Sequence, residues 1–245
     1  MKILNLGCGI KVSPHQDVIN IDWSMYMRLK KSRVGRLVAP LILDKERLDN
    51  FRNMPDNILA HNLVKGIPFP SNSIDVVYHS HLLEHIDRDV VEDFLLEIKR
   101  VLRPGGVQRI VVPDFEQLCR DYLNHIAMCA VHTTEREKHE QFISAIIEQS
   151  VRKQAFSSRY KHPIRRFLEN IILGDARRRG ETHQWMYDRV SLSVLLSKLG
   201  FQNITIQSYN TSIIPNWIAY GLDMDENGNP HKQKSLYVES EKPAK

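Results

Sequence analysis

Cysteine is scarce. Three residues, Cys8, Cys119 and Cys129, serve a chain of 245, and no two of them form a CxxC pair, so neither a disulfide framework nor a zinc site is suggested. So few thiols fit a reducing cytoplasm, which is the expected location. Long apolar runs are also missing, and none approaches the roughly 18 to 20 residues that a membrane-spanning helix needs. Any membrane association would therefore be peripheral. Met1 and Lys2 lead straight into a strand-like Ile3 to Leu6, leaving no room for a charged leader, an apolar region and a cleavage site, so no signal peptide is expected. Internal repeats and low-complexity segments are absent too.

What is present is ordinary globular material. Hydrophobic residues make up 42% and charged residues 26% of the chain, which excludes a disordered or fibrous protein. The length suits a single α/β domain, residues 1–245, with an elaboration, and is too short for two full catalytic domains. The net charge of +5 attracts anions without specifying a partner. Its distribution says more. From 151 to 189 ten Lys and Arg face four Asp and Glu, including Arg177, Arg178 and Arg179. That stretch reads either as solvated helix faces and a loop or as a surface for a phosphate-bearing or acidic substrate.

Short apolar runs bounded by turn signals recur at 2–6, 18–22, 58–62, 74–79 and 107–112, with helical patterns between them. This is the pattern of a parallel sheet buried on both faces, and right-handed crossovers place all strand carboxyl ends on one edge. A helix is expected over 89–102, where Val90, Val91, Phe94, Leu95, Ile98, Val101 and Leu102 form one stripe, and Pro104-Gly105-Gly106 is expected to end it in a turn. Residues 115–180 carry no strand pattern and read as three helices, 117–131, 135–154 and 164–177, forming an inserted helical cap. A short helix at 191–199 and two more strands at 204–208 and 235–239 complete a seven-stranded, mostly parallel, Rossmann-like sheet. The polar stretch 223–234 reads as a hairpin loop between the last two strands.

The sharpest chemical signal is Gly7-Cys8-Gly9 directly after the first strand, followed by Asp22 at the end of the second. Glycines there let backbone approach a ligand closely, and an acidic residue at that place accepts hydrogen bonds from ribose hydroxyls. Together they describe a nucleoside site.

The segments LNLGCG, NID, HNLVKGIPFPSNSIDVVYHSHLLEHI and EIKRVLRPGGVQRIVVPD resemble, in order and approximate spacing, the successive motifs of class I S-adenosylmethionine (SAM) dependent methyltransferases. The likeness covers residues 2–114. The chain is similar in particular to predicted methyltransferases associated with bacterial surface-polysaccharide biosynthesis, whose later segment HQWMYDRVSLSVLLSKLGF resembles. The resemblance implies S-adenosylmethionine as cofactor. Gly7, Cys8 and Gly9 would then line its methionine part, Asp22 would bind the ribose, Asn62 and Leu63 would flank the adenine, and Ser80 and His81 would lie near the sulfonium. Two departures stand out: the third glycine of the family's GxGxG is Lys11 here, and the adenine position, often Asp, is Asn62. An amide can still donate to and accept from an adenine edge. Only some ten residues separate the first two strands, so the helix between them must be short or absent.

His79, His81, Glu84 and His85 form a dense titratable group at the end of the fourth strand. Residues 79 and 81 share one face of a strand while 84 and 85 open a helix, so their convergence is unsupported and no metal is expected. His79 reads as a satisfied core or surface residue. If the acceptor is a hydroxyl, a proton must be removed, and the candidates for that role are His183, Asp114 and His81. Asp114 reads equally well as a helix cap, and Trp185 and Tyr187 read as packing.

The adopted expectation is methyl transfer to a hydroxyl of a small polar acceptor, with a saccharide or glycan precursor favoured through the resemblance alone. Two alternatives accompany it. One is methylation of RNA or another nucleic acid, motivated by the basic stretch and opposed by His79-Ser80-His81-Leu82 where many base amino-methyltransferases carry Asn-Pro-Pro-aromatic. The other is a non-catalytic SAM-binding partner subunit. Oligomeric state is not legible.

Overall fold

Strands β1 (Ile3–Leu6), β2 (Val18–Asp22), β3 (Ile58–Ala60), β4 (Ile74–Ser80), β5 (Leu102–Pro113), β6 (Gln202–Gln207) and β7 (Ser235–Glu241) form one sheet. The computed structural model describes residues 1–43, 45–53, 55–149 and 183–244. The strand order is β3-β2-β1-β4-β5-β7-β6. β1 to β5 pair in parallel, and β7 runs antiparallel to β5 and β6. The chain builds outward from β1 through β2 to β3, then returns to place β4 on the other side of β1. That reversal opens a crevice at the carboxyl ends of β1 and β4, the place where ligands of open α/β sheets bind.

The central strands earn their position by composition. Every residue of β1 is buried, and β4 is buried at five of its seven positions, as expected of strands covered on both faces. On one face α4 (Arg88–Val101) buries Val91, Phe94, Leu95, Ile98 and Val101. Beside it lies the helix Arg189–Lys198, which contributes Leu192 and Leu196 to the same core and starts in a capping box between Asp188 and Ser191. Among the described residues, the opposite face is covered by the chain between β6 and β7 rather than by a long helix. Ile214, Trp217, Tyr220 and Leu222, from the β6–β7 connection, pack on Ile3, Val76, Tyr78 and Tyr237.

This connection spans 208–234 and contains a 3-10 turn at Trp217–Tyr220, so the expected hairpin loop at 223–234 is only its second half. A fully buried Arg109 on β5 pins it. Its guanidinium bonds Asp223 at 2.7 Å and Glu239 at 2.5 Å and also donates to the carbonyls of Thr211 and Ser208. Asp223 in turn accepts from Trp217 Nε1 at 2.6 Å and from the Tyr78 hydroxyl at 2.8 Å.

Three helices between β2 and β3 have no counterpart in the sequence expectation: α1 (Met25–Lys31), α2 (Arg33–Ile42) and α3 (Lys45–Arg52). Ser24 and Ser32 cap the first two by accepting from the backbone N–H groups of Met27 and Gly35. Between β1 and β2 there is indeed no helix. Pro104-Gly105-Gly106, expected as a turn, lies inside β5. A register shift between Ile74 and Val76 absorbs it. Gly106 is required there, because a Cβ would stand 2.9 Å from the Arg103 carbonyl oxygen and 3.1 Å from that of Asp75.

After β5 come α5 (Phe115–Val131), a 3-10 turn at Thr133–Lys138 and α6 (His139–Gln149). Asp114 caps α5 by accepting from Gln117 N at 3.2 Å. The expected helix at 164–177, the arginines 177–179 and the end of the expected helix at 135–154 lie outside the described residues. With α7 assigned to Arg189–Lys198, no helix among the described residues is long and apolar enough to cross a membrane.

Candidate functional site

A cavity of about 550 Å³ opens at the carboxyl ends of β1, β2 and β4, between the turn after β3 and α4. Gly7 forms its floor. Its backbone is left-handed, φ +63°, and a Cβ there would stand 2.8 Å from the Leu82 side chain. Glycine is the residue that satisfies both conditions. Asp22 ends β2 at 7% exposure and accepts from Ser24 N at 3.2 Å, so its carboxylate is fixed at the cavity wall. Asn62 caps the short 3-10 turn Leu63–Lys65 by accepting from Val64 N, and it lines the cavity together with Leu63.

Five of the expected cofactor residues therefore meet at one cavity: Gly7, Asp22, Asn62, Leu63 and His81. Cys8, Gly9 and Ser80 do not line it. The Cys8 side chain turns inward to pack with Met27 and Ile58, and burial, helped by the charge of Asp22, pushes its thiol up to about 12. Gly9 keeps a left-handed backbone, φ +55°, with open space where a side chain would project. Ser80 lies beside a second small cleft with Lys11 and Tyr78. The sequence reading missed Trp23, 44% exposed beside Asp22, and also Leu82, His85 and Ile86. Trp23 is next to Asp22, and His85 was noted in the titratable group without a place in the site, so their identity was visible while their direction was not.

Next to this cavity the titratable residues converge further than expected. His81, at φ +51°, leaves β4 in a conformation unfavourable for a side-chain-bearing residue. Its Nδ1 lies 3.1 Å from Glu84 Oε1, and its Nε2 lies 3.1 Å from Ser235 Oγ. Burial lowers the His81 imidazole's pKa despite the opposing pull of Glu84. Glu84 is 1% exposed. Burial alone would raise its carboxyl, but the hydrogen bond with His81 and the proximity of His85 outweigh it and leave the carboxyl below its ordinary value.

His85 Nε2 is 3.8 Å from Glu84 Oε1, and the His85 ring meets that of His183 edge to face at 4.8 Å. Donor atoms of Glu84, His85 and His183 lie within 4.8 Å of one another, close enough to share a proton network or an ion. The reading that 79, 81, 84 and 85 do not converge is thus corrected for three of the four. A single turn after the strand brings Glu84 back beside His81. His79 stays apart, fully buried edge-on against Phe94.

His183 is brought in by the backbone of the two residues that follow it. Gln184 N and Trp185 N both donate to the Glu84 carbonyl, at 2.6 and 3.3 Å. Trp185 then packs beneath Arg88, whose guanidinium sits 3.9 Å from its ring centre, and Tyr187 is buried. Both confirm packing roles. Asp114 is half-buried, and burial raises its carboxyl. It bridges to Tyr187 through backbone, and it does not line the cavity.

Residues 4–110 match the sequence model of a family described as "Methyltransferase domain". A sterol 24-C-methyltransferase of Gibberella zeae is 30% identical over 110 residues, covering 44% of this chain and 26% of that protein. An uncharacterized methyltransferase of Schizosaccharomyces pombe is 30% identical over 113 residues, covering 43% and 37%. The chain thus spans about a quarter to two fifths of the length of these relatives. Among solved structures, a SAM dependent methyltransferase from Archaeoglobus fulgidus aligns over 98% of this chain and 85% of its own, at 13% identity and a TM-score of 0.42.

Proposed function

We propose that this chain is a SAM-dependent methyltransferase acting on a hydroxyl of a small polar acceptor, a saccharide or glycan precursor. The methyltransferase-domain match over residues 4–110 supports the activity class. The observation that carries the reading is the shared cavity of a left-handed Gly7 and a buried Asp22 carboxylate at the sheet's reversal point. These residues fit a nucleoside bearing a cationic sulfur: an acidic ribose acceptor, close backbone, an amide at Asn62 and apolar walls from Leu63, Leu82 and Ile86.

When bound, SAM supplies an activated methyl group. The chain's own work is to align the acceptor and to take up its proton. Asp22 accepts from the ribose hydroxyls, and Asn62 and Leu63 flank the base. Glu84 holds His81 by one ring nitrogen while Ser235 holds the other, so His81 positions rather than reacts. His183, beside His85 and the buried Glu84 charge, takes the hydroxyl proton, and that charge stabilises the imidazolium formed. Asp114 is the second candidate, though its Oδ1 already caps α5. The helices after Asp114 cover the acceptor side of the pocket in this reading.

Calorimetry with SAM and S-adenosylhomocysteine tests the core of the proposal. Both should bind, and Asp22→Ala should weaken binding by about 1–3 kcal/mol, the scale of hydrogen bonds to a charged group. Binding of neither ligand by the folded chain would overturn it.

A further inference from the structure

The helical segment after β5 carries a second cluster, remote in sequence from the cofactor residues. His125 and Cys129 stand one turn apart on α5, and His139 opens α6. His125 is 4% exposed. Its Nδ1 lies 3.0 Å from His139 Nδ1 and 3.5 Å from Cys129 Sγ, and all three donor atoms fall within 4.8 Å of one another. On the far side of the ring, His125 Nε2 faces the Glu135 carboxylate at 3.7 Å.

Hydrogen bonding alone serves this arrangement poorly. At 3.7 Å Glu135 is beyond hydrogen-bond reach and His125 Nε2 is buried without a partner; with the proton on Nε2, His125 Nδ1 keeps one lone pair. Two donors, the His139 ring and the Cys129 thiol, then compete for that single lone pair. A metal ion satisfies all three at once. With metal–nitrogen bonds of about 2.0–2.1 Å and a metal–sulfur bond of about 2.3 Å, tetrahedral angles put nitrogens about 3.3 Å apart and nitrogen about 3.6 Å from sulfur. The observed 3.0 and 3.5 Å lie close to both. Glu135 supplies the companion feature of a metal-bound imidazole, a carboxylate on the ring's other nitrogen. Phe142, stacked on His125 at 4.0 Å, closes one side against solvent.

We propose that His125, Cys129 and His139 bind a zinc-class divalent metal ion, with Glu135 orienting His125. On binding, the Cys129 thiol gives its proton to solvent as the metal–sulfur bond forms, with no change of oxidation state. The ion fastens α5 to α6 across the turn Thr133–Lys138. CxxC spacing, the pattern sought in the sequence, would not reveal it, since the ligands are a helical i, i+4 pair and a residue ten positions further on.

Cobalt(II) titration of the full, untagged, chelator-treated chain tests the proposal. About one equivalent should bind with tetrahedral visible bands and a thiolate-to-cobalt charge-transfer band, and zinc should displace it. Cys129→Ser should abolish the charge-transfer band while Cys119→Ser and His183→Ala keep it. Glu135→Gln should weaken affinity about tenfold. Zinc should raise the melting temperature of the parent chain and of Cys119→Ser but not of Cys129→Ser, a readout that also verifies that each variant folds. A parent chain without the charge-transfer band, or a band that survives Cys129→Ser, would overturn the assignment; cobalt lost only in His183→Ala would place the ion at Glu84 and His85 instead.

Discussion

Lowering the pH from 7 to 4 should cost this protein about 3 kcal/mol of folding stability through one side chain, His79. The residue is fully buried on β4 against Phe94, and its Nδ1 has no hydrogen-bond partner. Burial lowers its pKa from 6.5 to about 4, with Glu84 opposing the shift only in part. Above pH 6.5 the ring is neutral in both folded and unfolded chains, so it contributes no pH dependence. Between 6.5 and 4 the unfolded chain takes up a proton that the folded chain refuses, and stability falls as pH falls. The 2.5-unit gap at about 1.4 kcal/mol per unit gives about 3.5 kcal/mol in full, of which about 3 kcal/mol is reached by pH 4, where the folded ring is half protonated.

The assay is urea unfolding of the parent and of His79→Leu at a series of pH values from 7.5 to 4. Leucine fills a similar space but leaves the buried Gln108 amide without His79 Nε2 as its partner, so the variant should start below or level with the parent at pH 7.5 and lose less on acidification. His81 and Glu84, whose pKa values are also lowered, destabilise both proteins alike in acid, so the difference between the two curves isolates residue 79. Parallel curves would refute the argument and show that His79 is protonated inside the fold or screened there.

Three further outcomes follow from the same structure. Arg109→Leu should destabilise the chain by about 3–5 kcal/mol in urea unfolding, because Asp223 and Glu239 are left buried and charged, and the added changes Asp223→Asn and Glu239→Gln should recover part of the loss. Gly7→Ala should cost about 1–2 kcal/mol in backbone strain and, through displacement of Leu82, abolish SAM binding measured by calorimetry. His183→Ala should lower single-turnover methyl transfer by about 10²–10⁴ while leaving SAM affinity intact; an unchanged rate would move the role to Asp114, tested as Asp114→Asn.

The sheet was legible because its inner strands are buried on both faces, so apolar runs marked them to within a few residues, apart from the start of β5; the edge strands β3 and β6, with one buried residue between them, were found from shorter patterns. The helices at 25–52 were not, because they pack mainly on one another: Ala39, Leu43 and Phe51 form a separate small cluster. β5 defeated local reading for a different reason. Pro104, Gly105 and Gly106 are turn residues by propensity, but hydrogen bonds with the Lys242 backbone hold them in the sheet. In the site, Gly7, Asp22 and Asn62 could be found because strand ends fix their place. The grouping of His183 with Glu84 could not, since it depends on two backbone hydrogen bonds across nearly a hundred residues.

The bridge between Asp114 and Tyr187, reinforced by Phe115 N donating to Tyr187 O at 3.1 Å, means that the chain leaves and re-enters the sheet through a single doorway. The described ties from the interposed segment back to the frame include Glu116 to Arg189, Asp121 to Lys234, and the backbone of Gln184 and Trp185 to Glu84, all close to the two jambs. A chimera that keeps 115–121 and 183–187 and exchanges the chain between them should therefore retain the parent's SAM affinity.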